Sequence, residues 1–539
     1  DHPSVEALAV FAHGLLPSLG GGGGEVAVAA AAQTTAATAA ATLSLPLPPS
    51  SSLPLSPSSS SSVVVQISSS ATRLAGDLCA GVDAVATVPA ARWEVSYNSS
   101  SSFSPSSSSS SSSSTKRGPP PRFGAWLPGV ELFDASAFGL SAPEADLMDP
   151  QQRLLLEGAA ALVAARRGRG ETSSSSSPSS ATTANNNNST AVFVGIQQME
   201  YGGLAAPHTS SSAGNGSGNG SGNVSAYSAT GSAFSVAAGR VAFLFALRGP
   251  AAAVDTACSS ALVAVHLGAR HARDSVVLSS SIKKASSPSS SSSSDLLGAL
   301  AGGVNLSLSQ STTAATFAAG MLSPDGRCKA LDAAADGYVR AEACVLFSLV
   351  AAVVEEGKSS SAASSASASL AFADDDEGEE DLSASASSSS SSLPPLALLA
   401  GSAVNQDGRS ASLTAPSGPA QAAVLSAALE ATAVVGPEAV SLLEMHGTGT
   451  ALGDPIEIGA AASVLLAQRM KRKRPLALAA AKARLGHSEP VAGAVGLAAA
   501  SAAVSGALSL PVPSLRSLNP LVAATLGASA SKTLALRGA

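Results

Sequence analysis

The sequence predicts a layered α/β fold. Short apolar runs occur at Ala191–Ile196, Ala252–Val254, Val345–Leu349 and Leu476–Ala480, as expected of strands buried on both faces. Helical stretches separate these runs, and one such pattern lies between Asp134 and Leu156. Strands and helices that alternate in this way pack as layers of sheet and helix around a shared core.

The chain begins with a short amphipathic helix, Asp1–Phe11, with Ser4 placed as its N-cap. A flexible linker rich in Gly, Ala, Ser and Pro follows, and the run Val63–Ile67 predicts the first strand of one large unit. A low-complexity insert divides that unit into two halves. The helix, linker, first half, insert and second half are predicted at residues 1–17, 18–62, 63–350, 351–394 and 395–539, respectively.

Serine-rich runs interrupt the large unit. They carry too little apolar surface to offset the entropy lost on ordering, so we expect disordered inserts. Hydrophobic residues make up 45% of the chain but aromatic residues only 3%, which predicts a core of small, closely packed side chains. The serine-rich runs are Ser99–Ser114, Ser173–Ser180, Ser286–Ser294 and Ser387–Ser392.

Charge and cysteine content argue against several classes of protein. Lys and Arg number 30 against 37 Asp and Glu, unlike the basic balance of a nucleic-acid-binding protein. The basic run Arg469–Arg474 is expected to be a solvated loop, with a docking patch as the alternative, and Asp374–Asp381 an exposed insert. Four cysteines without paired spacing indicate neither a disulfide framework nor a zinc site. Val491–Val504 is too short to span a bilayer, so we expect a soluble protein without membrane partners. The cysteine content fits a reducing compartment, either the cytoplasm or an organelle.

Cys258 lies directly after a predicted buried strand and before a helix predicted over Ser259–Ala269. A helix N-terminus stabilises a thiolate and lowers the pKa of a thiol. Cysteine also suits acyl transfer, because a thioester passes from one sulfur to another at little free-energy cost. The alternative is a small buried cysteine that acts as a hydrophobic residue, and this is the interpretation preferred for Cys79, Cys328 and Cys344.

Two histidines lie in equally specific settings. His446 sits in a glycine-rich turn in which Thr448 and Thr450 offer hydroxyls to a ligand. His487 precedes a glycine-rich helix, with Lys482 five residues upstream. Two neutral imidazoles that donate to one thioester carbonyl stabilise the enolate formed when a malonyl group loses carbon dioxide. One cysteine and two histidines therefore predict decarboxylative carbon–carbon bond formation, although a lone histidine is more often structural.

These motifs together resemble the β-ketoacyl synthase (ketosynthase) domain of modular type I polyketide synthases. The resemblance covers most of Val63 to Pro520 apart from the serine-rich runs, and its blocks follow the family's order. Besides the motifs above, the blocks are Phe133–Asp134, Met148–Arg153, Ala237–Arg240, Leu247–Pro250, Ala301–Asn305, Gly320–Lys329, Asp332–Arg340 and Val404–Gly408.

The resemblance implies a thiolase-like fold, with two related α/β halves in a five-layered αβαβα arrangement, and a homodimer. Cys258 would accept an acyl chain from the phosphopantetheine arm of an acyl carrier protein, and His446 and His487 would activate a malonyl-type extender. Lys482 matches a lysine that supports His487 electrostatically, and no metal or redox cofactor is implied. The other matches are Thr448 and Thr450, on the pantetheine arm, and Glu342 and Asp454, in structural support.

The N-terminal helix resembles the last helix of an acyl carrier domain through its pattern His-Pro-Ser-Val-Glu-Ala-Leu at residues 2–8. That resemblance implies a carrier domain ahead of the ketosynthase. An unrelated capped helix is the alternative.

Three departures from the family pattern are present. Arg484 stands where the family has Asn two residues after its lysine. Ala341 and Ala343 flank Glu342 where the family has glycines, and alanine at a positive φ would add strain. The family's final Phe-Gly-Gly/Ser-Thr-Asn loop, which supplies an oxyanion-hole amide and a gating aromatic, does not occur before Ala539, so we expect a truncated C-terminal half.

Three functions follow from these observations. The first is chain elongation in polyketide or fatty acid biosynthesis, favoured because both Cys258 and His487 are present. The second is acyl transfer without elongation. The third is an inactive domain that dimerises or acts as a scaffold, which Arg484 and the missing loop would explain.

Overall fold

The computed structural model describes residues 61–75, 83–89, 92, 122–168, 189–205, 225–285, 298–355, 395–412, 415–432, 436–467, 472, 475–504, 512–527 and 534–536. The predicted helix at residues 1–17, the linker up to residue 60, all four serine-rich runs and the acidic run Asp374–Asp381 lie outside these ranges. The described residues from 63 to 353 and from 395 onward belong to one compact unit.

Each predicted strand is present among the described residues. β7 is longer than its apolar run and extends five residues past residue 350, where the first half is predicted to end. The described strands are β1 (Ser61–Leu74), β2 (Ala86–Thr87), β3 (Phe123–Gly124), β4 (Ala191–Gly195), β5 (Ala251–Val254), β6 (Gly298–Asn305), β7 (Ala343–Glu355), β8 (Ala397–Leu399), β9 (Leu442–Glu444), β10 (Leu476–Ala479) and β11 (Leu534–Leu536).

Helices separate most of these strands, as the alternating pattern predicts. In the described part of the chain, 3₁₀ turns supplement them at Ser136–Phe138, Pro437–Ala439 and Glu489–Val491. The described α-helices are α1 (Ala142–Leu147), α2 (Pro150–Gly168), α3 (Tyr201–Ala205), α4 (Ala226–Gly231), α5 (Phe234–Leu244), α6 (Ser260–Ala285), α7 (Gln310–Ala318), α8 (Gly418–Glu430), α9 (Gly453–Leu465), α10 (Lys482–Leu485), α11 (Ala492–Val504) and α12 (Pro520–Leu526).

The strands form two main sheets. The larger has the order β5-β4-β6-β7-β1-β8, with β4 parallel to β5 and β6, and β7 antiparallel to β6. The smaller has the order β11-β10-β9, with both pairs parallel. β8 pairs antiparallel with β1, opposing Leu399 to Val65. The first strand of the predicted C-terminal half therefore lies at the edge of the first half's sheet, so the halves of the chain do not coincide with the sheets.

The two sheets and the helices that cover their faces form five layers. Alternate residues of β4 point to opposite sides: Phe193 packs with α6, whereas Val192 and Val194 pack with α2 and α5. Helix α11 packs on α6 and on β9, so these two helices fill the space between the sheets. Helices α8, α9 and α12 cover the other face of the smaller sheet. The order is helix, sheet, helix, sheet, helix, as predicted.

The start of the helical region after Asp134 contains two helices rather than one. Ser141 begins α1 by accepting the backbone N–H of Glu144 on its hydroxyl, 3.3 Å away. α1 ends at Leu147, and Asp149 then precedes α2, where its Oδ1 accepts the N–H of Gln151 at 2.8 Å.

Of the basic run Arg469–Arg474, only Arg472 lies within the described residues, and it is outside any helix or strand. Its guanidinium is half-buried and donates to the backbone carbonyls of Pro437, Val440 and Leu465. Burial lowers the pKa of this guanidinium. Arg472 thus joins the ends of neighbouring elements.

None of the described helices combines the length and apolarity needed to cross a membrane. Within the same residues, no three His, Cys, Asp or Glu side chains are grouped so that they could hold a metal ion.

Candidate active site

The nucleophile candidate occupies a tightly bonded turn between β5 and α6. The helix begins at Ser260, one residue later than predicted, and extends to Ala285. Ser260 Oγ accepts the N–H of Thr256 at 2.9 Å and donates to the carbonyl of Ala257 at 2.5 Å. Ala257 has φ +55°, a left-handed conformation that costs an alanine free energy. The turn holds Cys258 half-buried, two residues before the helix.

Two glycines let the first turn of α6 lie directly on the sheet. A Cβ added to Gly195 would lie 2.4 Å from the backbone nitrogen of Ala261, and one added to Gly303 would lie 3.0 Å from the Cβ of Ala261. Neither position has room for a larger residue. The placement of Cys258 thus depends on backbone contact between β4, β6 and α6.

The two predicted histidines lie in direct contact. The rings of His446 and His487 meet edge to face, with 5.5 Å between their centroids and an angle of 89° between their planes. They come from different elements: His446 follows β9, and His487 follows the short helix α10. The contact brings together two side chains 41 residues apart in the sequence.

Strand-like pairing fixes the position of His487. Its N–H donates to the carbonyl of Val339 at 2.8 Å, and its carbonyl accepts the N–H of Ala341 at 2.9 Å. The ring is buried and meets the Tyr338 ring edge-on at 4.8 Å. Residues just before β7 therefore hold a histidine that comes almost 150 residues later in the chain.

The tautomer and charge of His487 follow from its surroundings. The N–H of Glu489 donates to Nδ1 at 3.2 Å, so Nδ1 is an acceptor and the ring proton is on Nε2. Burial, together with the charges of Lys482, His446 and Arg340, holds the pKa of His487 well below its usual 6.5. His487 is a neutral imidazole with one N–H to donate.

A carboxylate fixes the turn that carries His446. The two oxygens of Glu457, on α9, accept the backbone N–H groups of His446 and Gly447 at 2.6 and 2.9 Å. Gly447 and Gly449 have φ +49° and +74°, conformations in which glycine is preferred. The backbone of the turn thus places the side chain of His446 against the His487 ring.

Cys258 lies in the same part of the structure as the two histidines. The 3₁₀ turn Glu489–Val491, which follows His487, packs on α6, the helix that follows Cys258. Tyr338 contacts the His487 ring. Burial is the main reason that the pKa of Tyr338 lies well above 10, with smaller contributions from the charges of Glu489 and Cys258, so Tyr338 stays a neutral phenol.

Lys482 begins α10 and is buried, five residues before His487. Its charge is the second-largest cause of the low pKa of His487, after burial. Arg484, the departure from the family pattern, is also buried, and its carbonyl accepts the N–H of Ala84. Its charge and that of Lys482 lower the pKa of Glu444, which burial nevertheless raises to about 7.

The predicted pantetheine and support residues lie around the His446 turn. Asp454 accepts the N–H groups of Leu331 at 2.7 Å and Gly449 at 3.2 Å, and burial raises its pKa to about 6. Thr448 Oγ1 lies 3.4 Å from Thr450 Oγ1, which also accepts the N–H of Gly453 at 3.2 Å. Asp454 thus ties the His446 turn to the segment before β7, and the Thr450 hydroxyl is partly engaged at the start of α9.

Glu342 lies away from these residues, in a buried polar cluster between β6 and the chain after β3. Its carboxylate accepts from Arg92 at 2.7 Å and from the N–H groups of Leu127 and Ser307 at 2.9 and 3.0 Å. Burial raises its pKa. The strain expected at its alanine neighbours is absent, because both have extended backbones, so that expectation is wrong.

Sequence reasoning missed four residues of the site: Tyr338, Arg340, Glu457 and Glu489. Arg340 donates from Nε and Nη2 to the two carboxylate oxygens of Glu489, and Glu489 has φ +47°. Tyr338 and Arg340 fall inside the block Asp332–Arg340, which resembles the family, but spacing alone does not show which side chain faces which. Glu489 carried one usable signal, an acidic residue two positions after a histidine in an apolar segment.

Comparison with known proteins follows the same two halves. Residues 61–279 and 292–352 match the family described as "Beta-ketoacyl synthase, N-terminal domain", and residues 396–515 match "Beta-ketoacyl synthase, C-terminal domain". The chain belongs to the β-ketoacyl synthase family. The predicted family and its class, a condensing enzyme of the acyltransferase type, are confirmed.

Relatives of this ketosynthase include large polyketide synthases. One component of the phenolphthiocerol/phthiocerol polyketide synthase of Mycobacterium tuberculosis (strain ATCC 25618 / H37Rv) is 37% identical over 447 residues, which cover 83% of this chain and 23% of that protein. A second component of the same synthase, from the same strain, is 35% identical over 377 residues, 70% of this chain and 16% of that protein. The ketosynthase chain thus spans less than a quarter of the length of these relatives.

Solved structures confirm the fold. The ketosynthase from module 6 of the bacillaene synthase of Bacillus subtilis 168 superposes with a TM-score of 0.57 at 25% identity, covering 85% of this chain and 64% of that one. The oxazolomycin ketosynthase domain of Streptomyces albus JA3453 gives a TM-score of 0.59 at 24% identity, covering 88% and 68%. The predicted thiolase-like fold is therefore correct.

Proposed function

We propose that this chain is a chain-elongating β-ketoacyl-[acyl carrier protein] synthase of polyketide or fatty acid biosynthesis. The single observation that carries the proposal is the contact between His446 and His487, in which His487 is neutral and has its proton on Nε2. A neutral N–H donor suits an oxygen that becomes negative, because it stabilises the charge without first giving up a proton.

The first step is acyl transfer. The Cys258 thiolate, stabilised by the N-terminus of α6, attacks the carbonyl carbon of an acyl thioester on a phosphopantetheine arm. A new carbon–sulfur bond to Cys258 forms, the bond to the pantetheine sulfur breaks, and pantetheine leaves as a thiolate that takes a proton from water. The acyl chain is then a thioester of Cys258.

The second step is condensation. A malonyl-type thioester loses carbon dioxide, and its carbonyl oxygen becomes an enolate oxygen that accepts hydrogen bonds from His487 Nε2 and from His446. The enolate carbon attacks the acyl carbonyl on Cys258. A carbon–carbon bond forms as the bond to the Cys258 sulfur breaks, which releases a β-ketoacyl thioester and regenerates the thiolate. Burial and, after it, the charge of Lys482 keep His487 neutral through both steps.

Partners belong to the same proposal. Acyl carrier protein domains deliver both thioesters, with Thr448 and Thr450 on the pantetheine arm and with Glu342 and Asp454 in structural support. A homodimer is supported by β5, which lies at one end of the larger sheet and presents an exposed Ala251. Among the described residues, Cys258, Cys328 and Cys344 are not joined in disulfides, which fits a reducing compartment such as the cytoplasm.

Intact-protein mass spectrometry tests the proposal. After incubation with a short acyl-pantetheine thioester, we expect one acyl mass increment, absent in Cys258→Ala. Malonyl-loaded carrier should then remove the increment and yield a β-ketoacyl carrier, and His487→Ala should acylate without condensing. Acylation of the wild type without condensation would support a non-elongating acyl transferase instead, and no acylation at all would refute the enzymatic function.

A further inference from the structure

A buried ion pair lies directly behind His487. Arg340 Nε and Nη2 donate to the two carboxylate oxygens of Glu489 at 2.9 and 3.0 Å, and Nη1 donates to Thr313 Oγ1 at 2.8 Å. Both charged side chains are at least nine-tenths buried. Two parallel bonds between planar groups fix both position and orientation, which a single contact does not do.

The ion pair is connected to His487 on both sides. Arg340 is the residue whose neighbours, Val339 and Ala341, exchange backbone hydrogen bonds with His487. Glu489 supplies the N–H that binds His487 Nδ1. Glu489 reaches that position with φ +47°, a conformation that costs a non-glycine residue free energy. The bond to Arg340 offsets this cost and holds the N–H towards the ring.

The charges around His487 favour the same arrangement. Lys482, Arg340 and His446 all disfavour the imidazolium form, and Tyr338 packs on the ring as a neutral phenol. The negative charge of the Glu489 carboxylate would favour the imidazolium form of His487, but the positive charge of Arg340 compensates it. Arg340 therefore acts twice, once by fixing Glu489 and once by opposing protonation of the ring.

We propose that Arg340 and Glu489 are positioning residues for decarboxylation, which hold His487 in the tautomer that donates from Nε2 without touching the substrate themselves. This inference rests on the proposed function. It predicts that the pair serves condensation and leaves acyl transfer to Cys258 unaffected, because Cys258 is held by its own turn between β5 and α6.

The test compares four variants in two separate assays, acylation of Cys258 by mass spectrometry and condensation with malonyl-loaded carrier. Arg340→Lys keeps the charge but loses the paired bonds, Arg340→Gln loses both, and Glu489→Gln loses the carboxylate. Arg240→Gln is the matched control, since Arg240 forms a largely buried ion pair with Glu144 between α1 and α5.

We expect all three changes at the pair to lower the condensation rate by about tenfold or more, as misplaced catalytic groups do, with acylation within about twofold of wild type. Arg340→Gln should also move the acidic limb of the condensation pH profile to higher pH, because one cation beside His487 is gone, whereas Arg340→Lys should leave the limb in place. The Arg240→Gln control should change both assays equally or not at all.

Equal losses of acylation and condensation in the variants of the pair would show a merely structural role and overturn the inference. A condensation rate equal to that of the wild type would overturn it as well. If these variants do not fold, Thr313→Val removes only the third contact of Arg340, and a loss confined to condensation is still required. Wild-type protein that acylates but never condenses would refute the proposed function itself, a result distinguishable from failure of this inference.

Discussion

Asp149 provides a quantitative test of the structure that does not depend on catalysis. Its side chain is fully buried before α2, where Oδ1 accepts the N–H of Gln151. No donor among the described residues reaches Oδ2. Burial therefore raises the pKa of Asp149 from 3.8 to about 6, despite the Gln151 bonds and the charge of Arg153, which lower it. Asp149→Asn keeps the accepting oxygen at the helix start but cannot ionise.

The expected effect depends on pH. Because the pKa is raised on folding, the unfolded chain loses its proton first, so ionisation of Asp149 makes the protein less stable as pH rises through the window from 3.8 to about 6. At roughly 1.4 kcal/mol per pKa unit, the penalty is about 1 kcal/mol at pH 4.5 and about 3 kcal/mol at pH 7.5. Asp149→Asn should therefore gain about 2 kcal/mol relative to wild type between these two pH values.

Urea denaturation followed by circular dichroism at several pH values measures this difference. Asp134→Asn is the control of opposite sign, because Asp134 is exposed and its hydrogen bonds to Ser136 and Ala137 lower the pKa of its carboxyl. That variant should lose stability relative to wild type as pH rises. A stability difference for Asp149→Asn that stays constant from pH 4.5 to 7.5 would refute the burial argument.

Three further predictions concern the site. Ala257→Gly should stabilise the protein by about 1 kcal/mol in urea denaturation, because glycine adopts φ +55° without strain; a loss of stability would contradict this. Gly195→Ala should destabilise it by roughly 1–3 kcal/mol and slow acylation, because its Cβ would collide with the nitrogen of Ala261; unchanged acylation would argue against the contact. Glu457→Gln leaves the backbone N–H of either His446 or Gly447 without an acceptor, so it should slow condensation more than acylation when the two rates are measured side by side. A larger loss in acylation than in condensation would exclude a role of Glu457 in holding the His446 turn.

The fold was predictable where burial leaves a pattern in the sequence. Strands such as β4, covered on both faces, are continuous apolar runs, and they were located to within a residue or two. The partner of β8 could not be predicted from the pattern of its residues. These three residues were assigned to the second half of the chain, yet they pair with β1 of the first half. The length of α6 was underestimated, because serine and lysine after Ala269 gave no apolar period to follow.

The three candidate residues, Cys258, His446 and His487, could be selected from the sequence because each lies in a motif, whereas the residues that support them could not. Arg340 and Glu489 are 149 positions apart, and only the folded chain shows that they bind. Strain was expected beside Glu342 on the basis of replaced glycines, but it occurs at Ala257 and Glu489 instead. Backbone dihedrals depend on which partners a segment finds, and a single sequence does not reveal those partners.

The pairing of His487 with Val339 and Ala341 has a consequence for biosynthesis. The polypeptide is made from its N-terminus, so Cys258 leaves the ribosome about 20 seconds before His487 at ordinary rates of elongation. During that interval the segment before β7 lacks the partner that completes it. Cys258 is therefore synthesised well before the residues that hold His487, and the contact between His446 and His487 forms only after the second half of the chain has docked.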